Sequence, residues 1–235
     1  MLILVLMNCK VTPELKTEID PNVILINYKT ADRATFAAAI NQVNSCNPRV
    51  IGINALFKEY RDPKQDSSLA SAIGYYENVV LARGISKDSR SNEMFASQAW
   101  GEAIIGLSST DGITTHYGPY ISDGEEVKWS FPITLVSLYD PSRAAFMMND
   151  LRPDEFYEIE YNRTQDNYKV IDIDEIGNLD CAEIKDKIIL FGYLGPGEED
   201  EVTVPIGNDN TKMYRTEIIA NIISNLLEKY PSAEL

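Results

Sequence analysis

Apolar and polar positions along this chain fall into blocks that read alternately as strands and helices. Residues 23–28 (VILINY) are an apolar run behind the turn signal Asp20-Pro21-Asn22. Over residues 30–46, Phe36, Ile40 and Val43 recur at helical spacing, Ala37, Ala38 and Ala39 add propensity, and Asn47-Pro48 stops the run. A second run, 50–55, rich in β-branched residues, leads into a charged loop. The loop is followed by a helical pattern over 66–76, with Leu69, Ala70 and Ile73 on one face, and by a third run at 79–82. Asp66 stands where an N-cap would, with Ser67 and Ser68 behind it. Runs that are apolar without alternation are covered on both faces, the condition of parallel strands joined by helices. The succession predicts strands lying side by side in one parallel sheet, with right-handed crossovers.

The second half is more mixed. Residues 89–100 are helix-compatible, and 101–107 (GEAIIGL) read as a strand. Residues 110–128 read as a β-hairpin or meander turning at Asp111-Gly112 and Asp123-Gly124. Residues 129–148 read as helix divided at Pro141. Alternation over 155–161 predicts a half-exposed strand, and 168–176 an edge element before a short turn at 180–184. Residues 187–192 (KIILFG) are the last strongly apolar strand. A polar loop over 195–212 then precedes a helix at 215–229, whose stripe is Ile218, Ile219, Ile222, Ile223, Leu226 and Leu227. The expected fold class is α/β: a mainly parallel central sheet with helices on both faces, plus a β-hairpin or meander insertion. One domain spans 1–235, with a connector over 1–20 and a core over 21–230. No repeat, low-complexity tract or linker divides it.

Composition adds limits. In a chain of 235 residues, 44% hydrophobic and 24% charged content are ordinary values for a packed core. A net charge of −15 argues against nucleic acid and anionic lipid surfaces, both of which need clustered Lys and Arg. Cys9, Cys46 and Cys181 are odd in number and lack metal spacing, so they read as buried structural thiols. No stretch reaches the roughly 20 apolar residues of a membrane span; the apolar opening at 2–7 is short and lacks the flanks of a signal peptide. The single histidine, His116, sits in a Thr-rich hairpin and reads as a surface or packing residue; no nucleophile elbow or phosphate-binding Gly loop is present. The acidic run from Glu198 to Glu201 is a conceivable weak cation site and reads more simply as a solvated loop. No catalytic residue, metal or cofactor is expected.

The strand Val50-Ile51-Gly52-Ile53-Asn54-Ala55-Leu56-Phe57, its charged loop, Asp66 with Leu69-Ala70 and Ala72-Ile73, and Asn78-Val79-Val80-Leu81 carry a resemblance. So do Asp111-Gly112, Pro119, Asp200, Pro205 and Ala220-Asn221. Together they make the chain resemble, over residues 20–229, the CHASE domain of the second type, an extracellular sensor module of bacterial membrane receptors. That family usually has Asp where this chain has Asn54, an Arg near positions 115–117, and a His at position 219. The resemblance implies an extracytoplasmic location, membrane helices on both sides and a cytoplasmic output domain.

In open α/β sheets, ligands bind outside the carboxyl ends of the strands. That rule and the resemblance together nominate Asn27, Tyr28, Asn54, Phe57, Asp66 and Asp111 as ligand-binding residues. Asn54 and Asp66 could hold a small polar ligand, or instead cap the helix and tie down its loop. The expected function is a non-catalytic sensory input domain for an unknown small-molecule or peptide ligand. A homodimer is compatible with this reading, and nucleic acid is not a partner. The rival readings are a structural dimerisation module and an acidic metal-dependent hydrolase using Asp66, Asp111 or the loop at 198–200.

Overall fold

The computed structural model describes residues 14–83, 91–96, 102–104, 107–123, 126–153, 155–197, 199–206 and 209–232. In the first half, β1 (Val23–Asn27), α1 (Arg33–Ser45), β2 (Val50–Ile53), α2 (Pro63–Tyr75), β3 (Val79–Arg83) and β4 (Glu102–Ile104) follow one another. Then come β5 (Leu107–Thr110), β6 (Ile113–Tyr117), β7 (Tyr120–Asp123), β8 (Glu126–Trp129), α3 (Phe131–Tyr139) and α4 (Pro141–Asp150). The chain continues with β9 (Tyr157–Glu158), β10 (Lys169–Asp172), α5 (Cys181–Ile184), β11 (Ile188–Gly192), β12 (Glu201–Ile206), β13 (Asp209–Tyr214) and α6 (Arg215–Lys229).

Among the described residues, six parallel strands form the main sheet, in the order β10-β1-β11-β2-β3-β4. Residues of β1, β2, β3 and β11 are buried throughout, which explains why their sequences show no alternation. Side chains alternate across the sheet. Ile24, Ile26, Ile51 and Ile53 meet α1 and α2 on one face; Val23, Leu25, Val50 and Leu190 meet α3 and α6 on the other. The chain is thus a single mixed α/β domain with helices on both faces.

The neighbours differ from the expected order. β1 and β2 do not pair, because β11 enters between them, with Ile24 opposite Ile189 and Ile51 opposite Ile189 on its other side. A strand apolar on both faces gains most at the centre of the sheet, and a late segment can take that place without any local signal in the earlier strands.

Two glycines let helices sit close. A Cβ at Gly52 would come within 2.7 Å of a Leu135 methyl, and one at Gly192 would lie 1.9 Å from Thr216 Oγ1. α3 and the start of α6 therefore rest directly on the backbones of β2 and β11.

Other expectations shift in detail. α2 begins at Pro63, not at Asp66: Asp62 is the cap, accepting from the Lys64 and Gln65 amides, and Pro at the first turn needs no donor. Of the helix expected at 89–100, the described residues show a 3-10 turn at Glu93–Phe95; 89–90 and 97–100 lie outside them. The run 101–107 does not act as one strand, since β4 joins the main sheet and β5 a second sheet. The alternating stretch 155–161 yields only the two-residue β9, and Ile159 and Tyr161 beyond it turn inward to the core. The helical stretch divides at Pro141, as its position requires.

The larger correction concerns 195–212. Residues read there as a polar loop include β12 and β13, a hairpin that joins β6 and β5 in the second sheet, ordered β13-β12-β6-β5 with β9 beside β6. One side of this sheet supplies Val204, Met213 and Tyr117 to the core, and Val202 and Ile206 of β12 pack against it, enough apolar contact to hold strands whose remaining residues are mostly polar.

The cysteine reading is corrected too. Cys46, at the end of α1, and Cys181, at the start of α5, form a disulfide across 135 residues, with Cα atoms 4.7 Å apart.

Candidate functional site

The carboxyl ends of the central strands share one edge of the molecule. Tyr28 follows β1, Asn54 and Ala55 follow β2, Arg83 closes β3 and Tyr193 follows β11. The second sheet stands over this edge and contributes Leu107, Ser109, Thr114 and Val202. Between them lies a cleft of ≈ 690 Å³, into which Arg215, the first residue of α6, and the loop residues Glu199 and Asp200 also face. A second cleft of ≈ 580 Å³ adjoins it between the loops after β1 and β2, sharing Tyr28, Thr30, Ala55 and Leu56.

The floor is built by side chains that tie strand ends to loops. Asn27 is buried; its amide group donates to Asp172 Oδ1 (3.2 Å) and Gly195 O (3.0 Å), and its Oδ1 accepts from the Lys29 and Leu194 amides. Asn54 donates to Thr216 Oγ1 at 3.0 Å and so anchors the start of α6. Gly197 and Glu199 are held by tyrosines: Tyr193 donates to Glu199 Oε2 at 2.8 Å and Tyr214 to Gly197 O at 2.7 Å. Tyr28 packs against Tyr193, with ring centroids 6.2 Å apart, and Tyr193 meets Tyr214 edge-on at 5.8 Å.

The electrostatics are mixed. Burial, with the Asp200 and Tyr193 charges, lifts Tyr28 to about 12. The Glu199 hydrogen bond lifts Tyr193 to about 12. Burial also pushes the Asp200 carboxyl above its ordinary range against the pull of Arg215, whose Nη1 is 3.6 Å away. Arg83 is buried at the rim, and Arg215 is half-exposed.

The six nominated residues separate. Tyr28 and Asn54 line the larger cleft, and Phe57 lines the second while packing edge-on against Phe36 at 5.5 Å. Asn27 lies beneath the floor with its hydrogen-bonding groups engaged. Asp66 lines neither cleft; it is buried in α2, paired with Arg33 and accepting from the Arg61 amide at 2.8 Å. Arg33 also donates to Glu59 O and lies over the Phe95 ring at 5.0 Å. Burial works against the Asp66 charge, but the Arg33 hydrogen bond, the Arg61 amide and the Arg33 charge outweigh it and hold the carboxyl below its ordinary range. Asp66 thus ties the loop after β2 to α1 without capping α2. Asp111 sits exposed at the turn between β5 and β6, with φ of 52°. His116 is part-buried on β6, its Nδ1 2.8 Å from Thr115 Oγ1.

Polar cleft residues absent from the nominated set include Tyr193, Asp200, Arg215, Ser109 and Thr114. Tyr193 follows a strongly apolar strand, so the carboxyl-end rule applied to 187–192 points to it. Ser109 and Thr114 have no such signal, because they depend on where the second sheet docks. Among the described residues no group of three or more His, Cys, Asp or Glu side chains is placed to hold a metal, and no helix is long and apolar enough to cross a membrane.

A family model described as CHASE2 domain matches residues 17–234, nearly the whole chain. The chain belongs to the CHASE2 domain family. CHASE2 domains are extracellular sensory modules of signalling receptors, and the resemblance carried by the 50–57 strand and the Ala220-Asn221 pair is confirmed at family level. In this CHASE2 domain, Asn221 is fully buried and exchanges hydrogen bonds with the Arg163 backbone, joining α6 to the segment before β10. No curated protein and no solved structure matches the chain.

Proposed function

We propose that this CHASE2 domain is the non-catalytic, extracytoplasmic input module of a bacterial membrane receptor, and that it binds a small molecule in the cleft at the carboxyl edge of its main sheet. The cleft carries this reading: it lies outside the carboxyl ends of β1, β2, β3 and β11, where open α/β sheets take ligands, and is walled by a second sheet. The Cys46–Cys181 disulfide supports the location, since such bonds persist in oxidising compartments. A ligand touching both sheets favours one arrangement of them, and a receptor responds only to such differential binding. In a full-length receptor, flanking membrane helices would carry that bias to an output domain.

The test is a thermal-shift screen of the purified chain against metabolites, run beside Ser109→Trp, which puts an indole into the cleft from an exposed position. A ligand binding only the folded state stabilises it by about 2.7 kcal/mol at a hundredfold excess over Kd. The expected result is at least one compound that shifts the wild type and loses its shift in the variant. Equal shifts in both would move the site elsewhere, and silence throughout would remove the ligand-binding reading.

A further inference from the structure

This inference rests on the cleft being a ligand site and adds the chemistry of the ligand. The Asp200 carboxylate accepts no hydrogen bond from any described residue, and its nearest cation, Arg215 Nη1, stands at 3.6 Å, beyond hydrogen-bond reach. The Tyr28 hydroxyl likewise has no hydrogen-bond partner among the described residues, although its ring is fixed by Phe36 at 5.4 Å and Tyr193 at 6.2 Å. This corner offers a carboxylate, a phenol oxygen and an aromatic face. All three suit an ammonium group, through charge-assisted hydrogen bonds and cation–π attraction.

Beside it the chemistry reverses, because Arg215 stands next to Asp200. Among the described residues the Arg215 guanidinium meets no carboxylate closer than Asp200 and makes no side-chain hydrogen bond, leaving its fork of donors for a planar anion. It also heads α6, a helix of 15 residues whose N-terminal dipole favours negative charge. Arg83 adds a second positive charge to the lining, while Leu56, Leu107 and Val202 supply the apolar surface. A dication would meet Arg83 and Arg215 with like charge, and a dianion would meet Glu199 and Asp200 so. A molecule carrying one charge of each sign, a short distance apart, answers both Asp200 and Arg215.

We infer that the cleft takes a zwitterionic ligand of amino-acid type, a free amino acid or dipeptide, with its ammonium at Asp200 and Tyr28 and its carboxylate at Arg215.

The test is isothermal titration calorimetry of the whole chain with L-amino acids and dipeptides. N-acetylated forms (no ammonium), amidated forms (no carboxylate), simple alkylamines and simple carboxylates serve as probes. At least one zwitterion is expected to bind, with its acetylated and amidated forms weaker by about tenfold or more, the cost of losing a charged hydrogen bond. Asp200→Asn and Arg215→Gln should each weaken the zwitterion by about tenfold or more. Asp200→Asn should leave the affinity for the acetylated form unchanged, which separates loss of recognition from loss of fold. Binding confined to amines or to carboxylates, or equal affinity for the blocked forms, would overturn the zwitterion assignment. If none of these probes binds while another metabolite gives a cleft-dependent thermal shift, the ligand class falls and the sensor reading stands. Silence in both experiments would remove both.

Discussion

At the residue scale, two aspartates show how a carboxylate's surroundings set its effect on the fold. Asp66 is held ionised by Arg33 and the Arg61 amide, so its folded pKa lies below the unfolded value. Its stabilising contribution is present above the unfolded pKa and is lost as pH falls through the folded one. Urea melts of the wild type should therefore show a loss of stability below about pH 4. Asp66→Asn should be less stable at neutral pH and show a flatter acid limb; an unchanged acid limb would remove the pairing from the account. Asp200 has the opposite sign. Its folded pKa is raised by burial, so the ionised form opposes folding once pH rises through that value. Asp200→Asn should match the wild type at low pH and exceed it in melting temperature at pH 7. Both aspartates lie in charged stretches that look alike in sequence, although Asp66 is in the first turn of α2 and Asp200 in a loop. Asp66 could be singled out as a helix-start residue, but its partner Arg33 is 33 positions away and lies at the other end of the crossover.

At the element scale, helix starts and close contacts decide stability. Asp62→Ala removes the cap of α2 and should cost about 0.5–2 kcal/mol by urea denaturation. Gly192→Ala places a methyl on Thr216, where the neighbour is the first turn of α6 and cannot simply swing away. The expected cost is about 1–3 kcal/mol or more, and Thr216→Ala in the same chain should recover part of it. If Gly192→Ala melts as the wild type does, α6 does not rest on β11 as described. The long helices were legible because their periodicity is strong: the stripe from Ile218 to Leu227 marks α6 at 215–229 with its observed ends. The hairpin of β12 and β13 was not legible. Its few apolar residues, among them Val202, Val204 and Met213, are scattered among polar and charged ones, and the segments are strands because they pair with each other and, at Thr203, with Ile113 far away in the chain.

At the scale of the whole molecule, the disulfide joins the first crossover helix to the short helix before β11, closing a loop of 135 residues. Cross-linking so long a loop restricts the unfolded chain, and the entropic contribution approaches about 5 kcal/mol. Of three cysteines, this leaves Cys9 as the remaining thiol. Thiol titration of the denatured chain should find one thiol without reductant and three with it. Three in both cases would refute the bond, and Cys46→Ser with Cys181→Ser should lower the urea midpoint.

What the sequence determined by itself is the set of buried elements. Unbroken apolar runs at 23–28, 50–55, 79–82 and 187–192 are strands covered on both faces, and 3.6-residue stripes are helices against them, because burial pattern is a local property of the chain. The carboxyl-end rule places Tyr28 and Asn54 at the ends of strands, and the tertiary structure adds the cleft that they line. Only the tertiary structure decided that β11 lies between β1 and β2, that Cys46 reaches Cys181, and that a second sheet stands over the strand ends and brings Ser109, Thr114, Asp200 and Arg215 round one cavity. Each of these pairings joins segments far apart in the chain, and their free energy comes from contacts that no local window of sequence contains.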